Sequence, residues 1–289
     1  VDTVRLLHLP RYGLANYIKP SLDVPPTERE AAIMQDLSRA GKRLIGFCRT
    51  NLFKRLESSG HSFLLSIRRH ILRNFIYLHA IKYKLPLPIG TQDATLFDTQ
   101  ANDSENGNGQ QCAAELHAQT HEDFATLAEE GYDMLRKEHA GDFEWLRPDI
   151  FVDDLSEHLT HDVERLFSIL NLSGIWDPSK DEKLAVLMKL LTQKHPEEKI
   201  LLFSPFADTI DYLREQFEVR GLQKYAAVTG DTEDPSAVAC LFSPESNKVR
   251  DQVSPSDELR VIITTDVLSE GQNLQDAAIV VNFDMPWNP

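Results

Sequence analysis

The spacing of hydrophobic positions along the chain changes once, near Trp176. Before that point apolar residues recur at three- and four-residue steps, the stripe of amphipathic helices. In TEREAAIMQDL, Thr27 is placed to act as N-cap with Glu30 three residues later, a capping box ahead of a helix that Gly41 is expected to end. Over residues 52–85 the apolar positions Leu52, Phe53, Leu56, Phe63, Leu64, Ile67, Ile71, Phe75, Leu78 and Ile81 keep the same rhythm, predicting a helix whose other face carries Arg and Lys. Helical periodicity returns at 113–138 and at 155–172, with acidic outer faces. Residues 1–27, punctuated by Pro10, Pro20, Pro25 and Pro26, read as an extended segment with turns. Residues 90–111 are rich in Asn, Gln, Gly and Asp with almost nothing to bury, and predict a flexible loop. Residues 1–175 thus read as all-helical and are expected to form a helical accessory region.

After Trp176 short apolar runs alternate with helical ones. Helix DEKLAVLMKLLTQKH precedes the strand-like KILLFSPF. Helix ADTIDYLREQFEVRG, strand KYAAVTG, a Pro- and Ser-containing stretch, and strands RVIITTD and AAIVVNFD follow. Such alternation predicts an α/β fold, a parallel sheet flanked by helices, over residues 176–289. Ligand sites in these sheets lie at the carboxyl ends of the strands. Here those ends read Ser204-Pro205, Thr229-Gly230-Asp231, Thr264-Thr265-Asp266 and Asp284-Met285-Pro286. All four are small, polar or glycine-containing turns that allow backbone N–H groups and hydroxyls to approach a phosphate.

Charge complicates a nucleic-acid reading. The 289 residues carry a formal net charge of −15, whereas phosphate binding calls for Lys and Arg. The charges are sorted, however. Residues 39–84 hold eleven Lys/Arg against one acid, and residues 93–182 hold 22 Asp/Glu against five Lys/Arg. A basic surface including Arg68, Arg69 and Arg73 is one outcome, facing either DNA or a protein neighbour. Helix faces packed against each other are the other. Cys48, Cys112 and Cys240 lie far apart without a CxxC, which suggests neither a zinc ribbon nor a disulfide framework. No apolar run approaches the roughly 18 residues of a membrane span, and no signal peptide is evident, so the cytoplasm is the expected compartment.

Other chemistry weighs less. His117 and His121 stand four apart beside Glu122, but in the order HxxxHE and without a third ligand, so a solvated pair is expected over a zinc site. His158 and His161 are read the same way. Trp145, Trp176 and Trp287 sit in apolar contexts suited to packing rather than base stacking. Ser58-Ser59-Gly60-His61 lacks the strand-turn-helix setting of a nucleophile elbow and reads as a helix break.

TTDVLSEGQNLQDA followed by IVVNFDMPWNP resembles motif V and its sequel in the superfamily-two helicases and translocases. DEKLAVLMKLL resembles the opening helix of their second RecA-like lobe, KILLFSPF motif IV, and VACLFSPESN the short helix before motif V. SEGQNLQDA with FDMPWNP is most similar to the Swi/Snf-related branch, including bacterial RapA-like proteins, and RTNLFKRLESSGHSF resembles the helical region before this lobe there. The resemblance implies that Ser204, Gly230 and Thr264 or Thr265 touch a phosphate backbone. It also implies that Glu270, Gly271, Gln272 and Asn273 lie toward an ATP cleft. Capping of the adjacent turn is the alternative role for Asp266 and Asn273.

No GxxxxGK[ST] loop and no DExH motif is present, so ATP and Mg2+ are expected to be held chiefly by an N-terminal RecA-like lobe outside this sequence. The arginine-bearing motif VI would follow Pro289, and these residues alone are expected to be inactive. The resemblance implies a DNA translocase, with duplex DNA as partner and nucleoid association in a bacterium. A helicase acting on RNA or RNA–DNA hybrids and a non-catalytic RecA-like docking platform remain the alternatives.

Overall fold

The computed structural model describes residues 2–90, 118–268 and 272–285, with backbone alone over 39–43. The predicted loop at 90–111, apart from Gly90, lies outside these residues, as do Cys112, His117, Glu270, Gly271 and Trp287. The chain forms two compact units, Val1–Lys54 with Phe63–Gly174, and Arg55–Ser62 with Ile175–Pro289. The second unit therefore contains eight residues from deep within the sequence of the first.

The helical unit contains α1 (Asp2–Arg5), most of α2 (Glu28–Ser58), most of α3 (Gly60–Lys82), α4 (His121–Lys137) and α5 (Asp154–Ser173). The capping box at the start of α2 forms as expected. Thr27 N–H donates to Glu30 Oε2 at 2.8 Å, and Glu30 N–H donates to Thr27 Oγ1 at 3.2 Å. Gly41 does not end the helix, which runs on to Ser58. A helical glycine costs only about 1 kcal/mol, and the buried row Ile33, Leu37, Leu44, Cys48 and Leu52 holds the helix on both sides of it. The break comes at Ser59, between α2 and α3. Of the helix predicted at 113–138, residues 113–117 lie outside the described residues, and α4 starts at His121, where Thr120 and Asp123 form a second capping box.

Two expectations for this unit are corrected. It is not all-helical, because β1 (Leu87–Ile89) pairs antiparallel with β2 (Glu144–Leu146). Leu87 and Leu146 are fully buried there, and Tyr77 and Tyr132 donate their hydroxyls to the carbonyls of Pro88 and Pro86. Nor does α3 keep an open basic face. Ser66, Arg69, His70 and Asn74 are buried along with Ile67 and Ile71. The amino-terminal segment covers this polar side, with Arg11 Nε donating to Asn74 Oδ1 at 2.8 Å and Arg11 Nη2 lying 3.1 Å from His70 Nδ1.

The sheet unit follows the predicted order, with α6 (Glu182–Lys189) leading by a π turn over Leu190–Lys194 into β3 (Ile200–Phe203). Then come α7 (Ala207–Val219), β4 (Tyr225–Val228), α8 (Pro235–Phe242), β5 (Val261–Thr264) and β6 (Ile279–Asn282). The four strands are parallel in the order β4-β5-β3-β6. Side chains alternate across a strand, so Ile200, Leu202, Val261 and Ile263 pack on one face with Leu184, Leu187, Ile210, Leu213 and Phe217. Leu201 and Ile262 pack on the other with Val228, Phe242 and Leu268. Both faces are covered, which is why the strands read as near-continuous apolar runs. α7 closes with Gly221 at φ 69°, where Leu222 N–H returns to Phe217 O.

At the amino end of the sheet charge does the holding. Lys199 Nζ lies 2.5 Å from Glu258 Oε1 and 3.9 Å from Asp276 Oδ2, and Arg250 Nη1 lies 2.7 Å from Glu258 Oε2. The hydrogen bond from Lys199, aided by Arg250, lowers the Glu258 pKa against the opposing effect of burial. Burial opposes ionisation of Asp276 too, but bonds from the Ser246 hydroxyl and the Glu245 and Ser246 amides outweigh it and lower its pKa.

Candidate nucleic-acid interface at the carboxyl ends of the sheet

The four strand ends fall into two pairs of different character. At the ends of β3 and β6 the predicted contact Ser204 is buried, and its Oγ donates to Asp284 Oδ2 at 2.5 Å. Ser58 Oγ donates to the same oxygen at 2.9 Å, and Lys183 Nζ reaches Asp284 Oδ1 at 3.0 Å. Asp284 is itself 8% exposed, so one carboxylate gathers three donors in a largely dry setting. Ser58 and Ser62 both pair with Thr209 Oγ1 in the first turn of α7, at 2.8 and 2.9 Å. Arg55 Nη1 donates to Asp208 Oδ2 at 2.7 Å and its guanidinium lies over the Phe206 ring, 4.9 Å from the centroid.

The stretch 55–62 holds this position because of the helix break. Lys183 Nζ also takes the carbonyls of Glu57 and Ser58 at the carboxyl end of α2. Gly60 is required by close approach, since a Cβ there would stand 2.3 Å from Trp176 Cζ3. The indole N–H of Trp176 donates to Tyr212 OH at 3.2 Å, so Trp176 packs as expected. Desolvation raises the Tyr212 phenol pKa, and its O–H donates to Asp181.

The ends of β4 and β5 are different. Gly230 and Asp231 are exposed, and a Cβ at Gly230 would meet nothing within 4 Å. Thr229 and Thr232 close the turn by reciprocal bonds of about 3 Å. Asp234 caps α8 by accepting from Ala237 N–H at 2.9 Å. Thr264 and Thr265 are fully buried; Thr264 Oγ1 donates to Thr265 O, while Thr265 Oγ1 has no hydrogen-bond partner among the described residues. Their backbone aligns this strand end, and Asp266 stands exposed just beyond it.

The other predicted residues are placed as follows. Gln272 Nε2 donates to Ser236 Oγ at 3.1 Å. Asn273 Nδ2 donates to Ser246 O, and Asn273 O accepts from Asn247 Nδ2, both at 2.8 Å. Asn273 Oδ1 also accepts from Gln275 N–H at 3.4 Å, a turn-capping contact. Arg69 is buried, which corrects its expected place on a DNA-facing surface. Arg68 and Arg73 are half-buried, and burial lowers the Arg68 pKa. In the sequence the polar stretch 55–62 read as a helix break within the family-like segment 49–63, with nothing to show what it would meet. Its partner Asp284 lies 226 residues from Ser58, and no local pattern links them.

The order of elements, the parallel sheet and the polar strand ends agree with one comparison in particular. Residues 182–289 match a family described as the helicase conserved C-terminal domain. The sheet unit is similar to that domain over this stretch. Its relatives lie among superfamily-two helicases. The chain is similar to the ATP-dependent RNA helicase RhlB of Shewanella sediminis, 28% identical over 112 residues, 39% of this chain and 23% of that protein. It is also similar to a probable ATP-dependent RNA helicase, the DDX55 homolog of Caenorhabditis elegans, 29% identical over 109 residues, 37% of this chain and 17% of that protein. The chain thus spans less than a quarter of the length of these relatives. A solved structure, the C-terminal part of the Fun30 ATPase domain, aligns over 78% of this chain and 72% of its own at 15% identity, with a TM-score of 0.32. The sheet unit has a RecA-like fold, with helices on both faces of its four-stranded parallel sheet.

Among the described residues no helix is long and apolar enough to cross a membrane, and no group of three or more His, Cys, Asp or Glu is placed to hold a metal. His121 instead lies 3.1 Å from Glu164 Oε1 and stacks on Phe167. His158, expected to be solvated, stacks on His8 with ring centroids 3.9 Å apart and pairs with Tyr17 OH.

Proposed function

We propose that this chain is part of an ATP-dependent translocase of the Swi/Snf-related branch that moves along duplex DNA. The match of residues 182–289 to the helicase conserved C-terminal domain is the observation that carries this reading. The stretches TTDVLSEGQNLQDA and FDMPWNP support the choice of branch. In this reading Gly230 and the backbone at Thr264 and Thr265 meet one phosphate backbone, and residues 270–273 face the nucleotide. Gln272 and Asn273 are amides, suited to ribose hydroxyls or base edges rather than to phosphate charge. ATP and Mg2+ would therefore be held mainly by an N-terminal lobe, and closure of the two lobes over nucleotide would shift the grip on the strand. The cytoplasm, with nucleoid association in a bacterium, is the matching compartment.

A second reading, action on RNA, is favoured by the RhlB and DDX55 relatives, both of which are named as RNA helicases. ATP turnover by the full-length parent protein separates the two when measured without nucleic acid, then with duplex DNA, single-stranded DNA or RNA. Stimulation by duplex DNA without strand separation supports the translocase. Preference for RNA replaces it with the second reading, and absence of turnover under every condition leaves a docking platform.

A further inference from the structure

The asymmetry between the two pairs of strand ends has a cause within the lobe. A helix N-terminus beside a strand end is an anion-binding arrangement, with free N–H groups and the positive end of the helix dipole. At β3 that position belongs to α7. Arg55 pairs with Asp208 in its first turn, and Ser58 and Ser62 pair with Thr209. Ser204 Oγ accepts from Phe206 N–H at 3.4 Å while donating to Asp284. The polar groups with which the β3 and β6 ends would greet a ligand are thus already paired, and Ser58, Ser62, Ser204 and Thr209 are each at most 5% exposed. Gly230 and Asp231 on β4 are open.

We propose that residues 55–62 are a built-in clasp that occupies the β3 and β6 ends of the sheet, with Asp284 as its central positioning residue. Ser204 then orients α7 and does not contact phosphate. Nucleic acid is confined to the ends of β4 and β5. This second part rests on the nucleic-acid reading given above; the clasp itself does not. Arg55 and Asp208 form the outer pair of the clasp, at 6% and 14% side-chain exposure. Two conditions follow from the geometry. Loss of the Ser58 and Ser62 hydroxyls must loosen the start of α7 locally, and a bound strand must protect residue 231 but not residue 205.

Amide hydrogen exchange tests the clasp without any ligand. In the double variant Ser58→Ala/Ser62→Ala, exchange over residues 206–210 is expected to rise about tenfold while the β5 amides are unaffected, as for a local opening. Ser58→Thr, which keeps the hydroxyl, is expected to restore much of the protection in a Ser62 wild-type background. Unchanged exchange over 206–210 in the double variant overturns the clasp. If the double variant fails to fold, Arg55→Lys, which retains the charge but not the two-pronged guanidinium, provides the same exchange readout.

Site-resolved maleimide labelling of Asp231→Cys and Pro205→Cys in the full-length protein then tests the confinement. Saturating duplex DNA is expected to slow labelling at 231 about tenfold and to leave 205 within about twofold. Protection at 205 equal to that at 231 overturns the proposal. If duplex DNA, single-stranded DNA and RNA protect neither position, the nucleic-acid reading fails and confinement fails with it, and the exchange measurement still decides the clasp.

Discussion

Asp162 in the helical unit and Asp284 in the sheet unit are both buried carboxylates that tie together segments far apart in the chain, but they draw on different donors. Asp162 is 1% exposed and accepts from the backbone N–H groups of His8 and Leu9 at 2.8 and 2.7 Å, with Arg165 Nη1 3.7 Å away. Asp284 accepts from two serine hydroxyls and a lysine that is 38% exposed. Main-chain donors cannot be re-aimed once the carboxylate is gone. Hydroxyls rotate, and a half-exposed ammonium can turn to water. The same residue type therefore acts as a fixed splint in one unit and as an adjustable joint in the other.

The largest expected effect is on the splint. Asp162→Ala strands two buried N–H groups and should cost about 3–5 kcal/mol in denaturant-induced unfolding, with Asp162→Asn recovering part of it. Gly60→Ala should come next, at about 1–3 kcal/mol, because the rigid Trp176 ring cannot yield to the new methyl group. Asp284→Ala should cost about 1–2 kcal/mol, since its three donors have other recourse. A loss for Asp284→Ala as large as that for Asp162→Ala would break the comparison.

The smallest effect is in pH dependence, and its sign differs in origin between the units. Burial, reinforced by His158, lowers the His8 pKa against the opposing pull of Asp162. Arg165 and His161 flank the same cluster, and Tyr17, held above its usual range at about 12 by burial and by Asp162 and Asp154, bonds His158. An imidazole whose pKa falls on folding leaves the unfolded chain binding more protons, so its stabilisation is present above about pH 6.5 and declines as pH falls below that value. Glu258 and Asp276 also have lowered pKa values. As carboxylates they stabilise above their unfolded range near pH 4, and that contribution fades as pH falls through it toward the lower folded values. Melting temperature measured from pH 7.5 to 3 should therefore fall in two stages. His8→Ala should flatten the first stage and Glu258→Gln the second; an unchanged slope in either variant removes that group from the account.

Much of this molecule was legible in its sequence. The apolar runs after the switch in spacing near Trp176 form the parallel sheet, and each predicted strand there lies where expected. The Thr27 and Glu30 capping box is present, and the turns after β4 and β5 fall at the carboxyl ends. These features depend on neighbours within one helical turn or one strand, and periodicity records such neighbours directly.

What the tertiary structure decided involves partners distant in sequence. Gly41 stays helical because buried side chains on either side outweigh its local cost. Arg69 is buried on a helix whose polar face the pattern left open, and the neighbouring His70 and Asn74 are met by Arg11 from the amino-terminal segment. Ser204 turns inward because it joins Lys183 and Ser58, the latter 226 residues away in sequence, on the Asp284 carboxylate. A local pattern fixes which face of an element is apolar, but the choice of hydrogen-bond partner for a polar side chain is settled only when remote segments pack and exclude water around it.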